Sequence, residues 1–96
     1  MIENPKIIFM GTPEFAVPSL EAIHKIYGIS LVVSIPDKAQ GRGQKVIPSP
    51  VKVKAMELNI PILQPEKLKN EDFIEQIKSI EPDIIVVIAL AANMYA

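Results

Sequence analysis

The hydrophobic residues of this chain form four short runs, and the stretches between the runs have helical spacing. The runs are residues 6–10, 30–35, 60–63 and 84–92. Short apolar runs bounded by Gly, Pro or Asp are typical of buried strands. Strands that alternate with helices predict an α/β fold whose parallel sheet is joined by right-handed crossovers.

Start and stop signals bound the three predicted helices. The first is expected to follow Thr12 as its N-cap, with Pro13 at its first position and Gly28 at its end. Ser49 and Asn70 are the candidate N-caps of the second and third helices. By helical spacing, the residues expected to face the sheet are Phe15, Leu20, Ile23 and Tyr27, then Val51, Ala55 and Leu58, then Phe73, Ile74, Ile77 and Ile80.

The strand pattern predicts a Rossmann-like, three-layer sheet of four strands and three helices. With the first strand central and Pro61 marking an edge strand, the spatial order is 3-2-1-4. This order leaves the fourth strand at an open edge, although a continuously apolar strand is usually covered. Residues 1–96 therefore look like one incomplete domain. Because open apolar edges invite association, we expect Ile84–Ala92 to pair with a second copy of the chain.

Composition excludes several classes of protein. A chain of 96 residues, 49% hydrophobic and 22% charged, suits one small globular domain. The net charge of −1 excludes a polybasic or polyacidic binder. No cysteine is present and no His, Asp and Glu cluster has ligand spacing, so we expect no metal. Without a membrane-length apolar run or a signal-peptide pattern, a cytoplasmic protein is expected.

Two strand ends are candidate ligand sites. The turn Gly11-Thr12-Pro13 follows the first strand, and ligands of open α/β sheets bind beside such carboxyl ends. An ordinary strand-to-helix turn is the alternative for these residues. Asp37 follows the second strand, where a dinucleotide-binding domain places its ribose-binding acid. The glycine fingerprint of such domains is absent, so a turn-forming role for Asp37 is better supported.

A basic segment is the third candidate site. Residues 38–48 are predicted to form a long loop, and five of the ten basic residues lie between Lys38 and Lys54 with no acid among them. Arg42, between two glycines, and the lysines suit phosphate contacts. No aromatic residue is interleaved, so stacking on bases is not indicated. A solvated surface loop is the alternative.

Five segments follow one another at the spacing of a known family. They are Ile7–Ala16, Pro36–Lys45, Pro48–Lys52, Ile60–Pro65 and Pro82–Val87. Together they resemble the N-terminal part of bacterial methionyl-tRNA formyltransferase. The family transfers a formyl group from 10-formyltetrahydrofolate to the amino group of methionine on initiator tRNA, in translation initiation. The resemblance implies a Rossmann-like formyltransferase domain, with a C-terminal barrel that assists tRNA binding.

The resemblance also implies roles for individual residues. Arg42 and Lys45 would lie in the loop that enters the acceptor end of the tRNA. Thr12, Pro13 and Phe15 would form part of the wall near the formyl-transfer site. The backbone expected to line the folate pocket belongs to Ile88, Ala89 and Leu90.

The catalytic Asn, His and Asp of the family lie downstream of the matched segments. The resemblance therefore implies no catalytic residue in these 96 residues and no folate held tightly by them. We expect the chain by itself to be inactive. Two alternatives stay open, namely a weak RNA-binding fragment that uses Lys38–Lys54 and a nucleotide-binding half-domain that uses Gly11 and Asp37.

Overall fold

The computed structural model describes residues 4–40 and 45–90. Six strands, three α-helices and one 3-10 turn alternate along this part of the chain. In chain order they are β1 (Ile7–Gly11), the 3-10 turn (Glu14–Ala16), α1 (Val17–Tyr27), β2 (Leu31–Val33), β3 (Lys38–Gln40), β4 (Lys45–Ile47), α2 (Pro50–Glu57), β5 (Ile62–Leu63), α3 (Glu71–Ile80) and β6 (Ile84–Ile88).

The main sheet confirms the predicted order. Its four strands are parallel and lie in the order β5-β2-β1-β6, which is 3-2-1-4 when the strands of this sheet are numbered along the chain. Pro61 directly precedes β5, and β5 is indeed an edge strand. Three strands are shorter than predicted, since β2 ends at Val33, β5 begins at Ile62 and β6 ends at Ile88. Ala89 already has a left-handed φ of 49°, which breaks the extended backbone.

Alternating side chains of the sheet build two hydrophobic layers, because successive residues of a strand point to opposite faces. Phe9 and Val32 pack on one face with residues of α1 and α2. Ile8 and Val33 pack on the other face with Phe73 of α3. The protein is therefore a three-layer α/β fold, as its sequence predicts.

The N-caps predicted for the second and third helices are confirmed. Ser49 Oγ accepts a hydrogen bond from the Lys52 N–H at 3.1 Å, and Asn70 Oδ1 accepts one from the Phe73 N–H at 3.0 Å. Each cap satisfies one of the backbone donors that the first turn of a helix leaves free. The caps therefore fix where α2 and α3 begin.

The start predicted for the first helix is wrong. A 3-10 turn, Glu14–Ala16, comes first, and α1 begins at Val17. Pro18 suits the first turn of α1, where a missing N–H breaks no helical bond. Thr12 caps nothing, since its Oγ1 has no hydrogen-bond partner among the described residues.

This later start also changes which side chains face the sheet. Phe15 is 69% exposed and Tyr27 is 54% exposed, so the prediction that both face the sheet is wrong. Phe15 lies in the tighter 3-10 turn, outside the helical stripe of α1. Leu20 is buried and Ile23 packs on the same cluster, as predicted. Ile74 of α3 is also partly exposed, unlike its neighbour in the predicted stripe.

The loop predicted over residues 38–48 contains a β-hairpin. Strands β3 and β4 pair antiparallel, with Lys38 opposite Ile47 and Gln40 opposite Lys45. They form a two-stranded sheet separate from the main one. The hairpin has no strict alternation of apolar and polar residues, so the pattern used to find strands gave no signal here. Arg42 lies outside the described residues.

The open edge predicted for the last strand is confirmed. Ile84, Ile85 and Val87 of β6 are each 45–47% exposed, and β1 is the one strand paired with β6 in the described sheet. Three hydrogen bonds join the starts of β6 and β1. The Lys6 carbonyl accepts from the Asp83 N–H at 2.8 Å and from the Ile84 N–H at 3.2 Å, and the Lys6 N–H donates to Asp83 Oδ2 at 2.8 Å.

Candidate functional site

The carboxyl ends of β1 and β6 meet closely at Gly11. Gly11 lies opposite Ile88 of β6. A Cβ atom on Gly11 would lie 2.9 Å from the Ile88 carbonyl oxygen and 3.0 Å from the Phe9 ring. Glycine is therefore required here by close packing, as the interpretation of an ordinary turn proposes. The same packing brings the turn at residue 12 beside the end of β6.

A small cavity opens beside this turn, between the end of β1 and the start of α2. Its volume is about 230 Å³. Proline and isoleucine supply most of the wall, and the buried Thr12 Oγ1 is left without a partner among the described residues. Apolar walls with few polar groups are typical of ligand sites, and this size suits one chemical group rather than a whole ligand. The lining residues are Thr12, Ile35, Pro36, Ile47, Pro48, Ser49 and Pro50.

A charged network lies next to the cavity and centres on Asp37. Lys52 Nζ donates to Asp37 Oδ2 at 2.7 Å, and Gln64 Nε2 donates to Asp37 Oδ1 at 2.7 Å. Gln64 Nε2 also donates to the Ile35 carbonyl at 3.1 Å. The hydrogen bond from Lys52, and then that from Gln64, lower the pKa of Asp37 below its ordinary value. Asp37 is therefore a carboxylate with both oxygens engaged.

Two serines join β2 to α2 beneath this network. Ser34 Oγ and Ser49 Oγ share a hydrogen bond at 2.6 Å. Both side chains are buried, and Ser49 Oγ also caps α2. The Val51 N–H adds a bond to the Thr12 carbonyl at 3.3 Å. The start of α2 is thus tied to the ends of β1 and β2.

The basic segment is less positively charged than its sequence indicates. Lys52 pairs with Asp37, and Lys54 Nζ lies 2.7 Å from Glu57 Oε2 and 3.9 Å from Glu21 Oε1. The hydrogen bond to Glu57 raises the pKa of Lys54. Nearby carboxylates therefore neutralise two of the five basic residues counted between Lys38 and Lys54. The partner of Lys52 lies 15 residues away along the chain, whereas Glu57 lies on the same helix as Lys54.

The residues predicted to line a substrate wall separate into two environments. Thr12 lines the cavity, whereas the Phe15 side chain lies mostly in solvent. Lys45, one of the two residues predicted to lie in the tRNA-contacting loop, is the first residue of β4. Pro13 lies between Thr12 and the 3-10 turn, and its carbonyl accepts a hydrogen bond from the Ala16 N–H at 3.0 Å.

The residues predicted to line a folate pocket end the last strand. Ile88 closes β6 beside Gly11, and Ala89 turns the backbone through its positive φ. Leu90 is 9% exposed and packs with Met10 and Phe73. The Leu90 side chain therefore belongs to the core, and the Ile88 carbonyl lies close to Gly11.

Sequence reasoning assigned no role to Ser34 or Gln64 and counted Lys52 among the lysines that suit phosphate contacts, although the structure places all three at this edge. Ser34 follows the apolar residues of β2 directly, and a polar residue at a strand's carboxyl end is a usable signal. Lys52 and Gln64 approach Asp37 from 15 and 27 residues away along the chain. Local pattern carries no information about such contacts.

The part of the chain that the structure describes holds no group of His, Cys, Asp and Glu residues able to bind a metal ion. Over the same residues, no helix has the length and apolar character needed to cross a membrane. The candidate site therefore consists of the cavity, the Asp37 network and the end of β6.

Comparison with known proteins identifies the chain's relatives. No protein-family model matches it. It is 53% identical over 85 residues to the methionyl-tRNA formyltransferase of Clostridium perfringens (strain 13 / Type A), and 54% identical over 85 residues to that of Clostridioides difficile (strain 630). Each match covers 88% of this chain and 28% of the relative, so the chain spans less than a third of the relatives' length. Over most of its own length, this chain is a homologue of the methionyl-tRNA formyltransferases, as its five sequence segments predict.

Proposed function

We propose that this chain forms the part of a formyltransferase domain that meets the acceptor end of methionyl-tRNA, with 10-formyltetrahydrofolate as the co-substrate. The observation that carries the proposal is the identity of 53% over 85 residues with a methionyl-tRNA formyltransferase. The arrangement of the carboxyl edge supports it, because ligands of open α/β sheets bind where these strands end.

The proposal assigns the β3–β4 hairpin to the tRNA. Arg42 and Lys45 would neutralise phosphates of the acceptor end, as basic side chains do in nucleic-acid complexes. Thr12, Pro13 and the exposed Phe15 ring would contact substrate. An exposed aromatic ring offers apolar area that a substrate can cover.

The end of β6 is proposed to border the folate. Ile88, Ala89 and Leu90 present backbone at the same edge as the Thr12 cavity, and the cavity is too small for a whole folate. The positive φ of Ala89 turns the chain away from the strand direction, so its backbone groups are not used in the sheet. We place the protein in the cytoplasm, where translation takes place.

The two alternative functions have less support. For RNA binding by this segment alone, Lys52 and Lys54 are already paired with carboxylates, which leaves few free charges to release counterions. For nucleotide binding, both oxygens of Asp37 already accept hydrogen bonds from Lys52 and Gln64, so these side chains compete with a ribose for the carboxylate. Both observations favour the formyltransferase assignment.

A hybrid enzyme tests this function. In the hybrid, the matched segment of the Clostridium perfringens relative is replaced by the corresponding residues of this chain. We expect the hybrid to formylate methionyl-tRNA and the 96-residue chain alone to give background, because the resemblance places the catalytic Asn, His and Asp outside it. Radioactive formyl transfer measures both.

An Arg42→Ala change in the hybrid is expected to lower kcat/KM for methionyl-tRNA, whereas Lys25→Ala on α1 serves as a control of equal charge. A folded hybrid without activity, or turnover by the purified chain alone, would contradict the proposal.

Self-association through the β6 edge is a separate prediction. The exposed backbone and side chains of Ile84–Ile88 are expected to pair with a second copy, so light scattering should give a mass above 10.6 kDa that rises with concentration. Val87→Lys should restore the monomer, because a charge on an edge strand opposes pairing. Val46→Lys, on the exposed hairpin, is the matched control. A monomer at every concentration would contradict the prediction.

A further inference from the structure

The direction of the β3–β4 hairpin is set at its base. The hairpin forms its own two-stranded sheet and adds no strand to the main sheet. Asp37 directly precedes β3, and α2 begins three residues after the last residue of β4. The bonds that connect these two ends to the main sheet therefore control how the hairpin projects.

We propose that Asp37, Lys52 and Gln64, here called the base clamp, are positioning residues that fix the hairpin relative to the sheet. Asp37 is the residue directly before the first strand of the hairpin, and this position is called the entry. Lys52 lies in the first turns of α2, after the exit, and Gln64 directly follows β5 of the main sheet. The two bonds to Asp37, each 2.7 Å long, thus tie the entry both to the exit and to the sheet.

The chemistry of the base clamp suits a fixed geometry. Both bonds involve an ionised carboxylate, and charge-assisted hydrogen bonds are shorter and stronger than neutral ones. The Lys52 and Asp37 side chains are 17% and 28% exposed, so solvent competes for them only in part. Gln64 also donates to the Ile35 carbonyl, so its amide is held by the segment that leads into the hairpin.

Lys54 provides an internal contrast. It lies two residues after Lys52 on the same helix, but its close partner Glu57 also belongs to α2. The second carboxylate near it, Glu21, lies on α1 and not on the hairpin. A change at Lys54 therefore alters the same charge on the same helix without touching the base of the hairpin.

Hydrogen exchange of the 96-residue chain tests the base clamp directly. Lys52→Met and Asp37→Asn are expected to speed amide exchange in the hairpin strands by roughly threefold to tenfold, since partly exposed charged bonds are lost. Exchange in β1 should change little. Lys54→Met should leave the hairpin rates unchanged, and Lys52→Arg should restore protection. Equal rates in all variants, or equal acceleration in β1 and the hairpin, would overturn the proposal.

RNA binding provides a second test, because loss of the Asp37 charge and loss of the base clamp are expected to change RNA affinity in opposite directions. The consequence for tRNA rests on the proposed function, and the probe is a synthetic hairpin RNA with an initiator acceptor-stem sequence. Removing the Asp37 charge should strengthen RNA binding if charge alone matters. Together with the proposed assignment of the hairpin to tRNA, the base clamp predicts that Asp37→Asn weakens RNA affinity roughly threefold, measured by fluorescence anisotropy, because a loosely held hairpin contacts phosphates less well.

The two measurements separate the two proposals. Faster hairpin exchange together with weaker RNA binding supports both of them. Faster hairpin exchange with unchanged RNA binding supports the base clamp and contradicts the assignment of the hairpin to tRNA. Unchanged exchange overturns the base clamp whatever the RNA result.

Discussion

The Gly11→Val substitution is expected to lower the free energy of unfolding by about 3 kcal/mol, since overpacking of a tight core costs about this much. The added Cβ would meet the Ile88 carbonyl oxygen at 2.9 Å, and backbone cannot move aside as a flexible side chain can. The pairing of β1 with β6 must therefore open. A fall of roughly 12–24 °C in Tm is expected for a domain of this size.

Gly28→Ala is the control for Gly11→Val. Gly28 has a φ of 79°, and no atom lies within 4 Å of the place where its Cβ would stand. Its replacement meets no steric contact, so the cost is the backbone strain at φ 79° and ψ 134°, about 1–3 kcal/mol. Urea denaturation compares the two variants. A Gly11→Val protein no less stable than Gly28→Ala would show that β1 and β6 separate without cost.

Ser49→Ala is expected to cost about 3 kcal/mol, since it removes two kinds of interaction at once. The first is the N-cap of α2, where Ser49 Oγ accepts from the Lys52 N–H. The second is the partner of Ser34, whose fully buried hydroxyl would be left without its 2.6 Å bond. A buried hydroxyl without a partner costs more than a lost exposed bond.

Two variants separate these contributions to the Ser49→Ala effect. Asn70→Ala removes the cap of α3 and leaves no buried partner behind, so it should cost about 1 kcal/mol. Ser34→Ala keeps the cap at Ser49 and should also cost less than Ser49→Ala. Thermal unfolding monitored by circular dichroism measures all three. Equal effects of Ser49→Ala and Asn70→Ala would mean that the buried serine pair adds nothing.

Most of the fold could be predicted from the sequence because the main sheet obeys simple patterns. Its strands are short apolar runs, and crossovers of the expected hand and length fix their order. Pro61 correctly marked the edge strand β5, since a residue without an N–H suits an edge. The strand order places β1 between two other strands and β6 at an edge. This explains why β1 is buried and β6 is partly exposed.

The hairpin and the start of α1 could not be predicted, for different physical reasons. Val46 and Ile47 of β4 are both largely exposed, and no period-two hydrophobic signal marks the short strands β3 and β4. The helical spacing continues back through Glu14–Ala16, but these residues form a 3-10 turn. The tighter turn points Phe15 away from the face that α1 buries, and Phe15 is exposed. Periodicity finds elements that bury a face and misses those that do not.

The candidate site was predicted in position but not in its interactions. The turn at Gly11 and Thr12 and the acid at Asp37 do lie at the carboxyl edge. The partners of Asp37 come from α2 and from the segment after β5. Such contacts are made by the fold, and a count of charges along the chain treats Lys52 as free when it is paired.

The bonds between Lys6 and Asp83 have a consequence for strand register. Strand β6 reads Ile-Ile-Val-Val-Ile, so sliding it by one residue along β1 would present another apolar side chain at nearly every position. Hydrophobic pattern, which normally selects one register, cannot select it here. The reciprocal backbone and carboxylate bonds at residues 6 and 83 supply the missing selection, because they can form in one alignment only. Asp83 therefore selects the register of β6 along β1 in which Ile88 lies opposite Gly11.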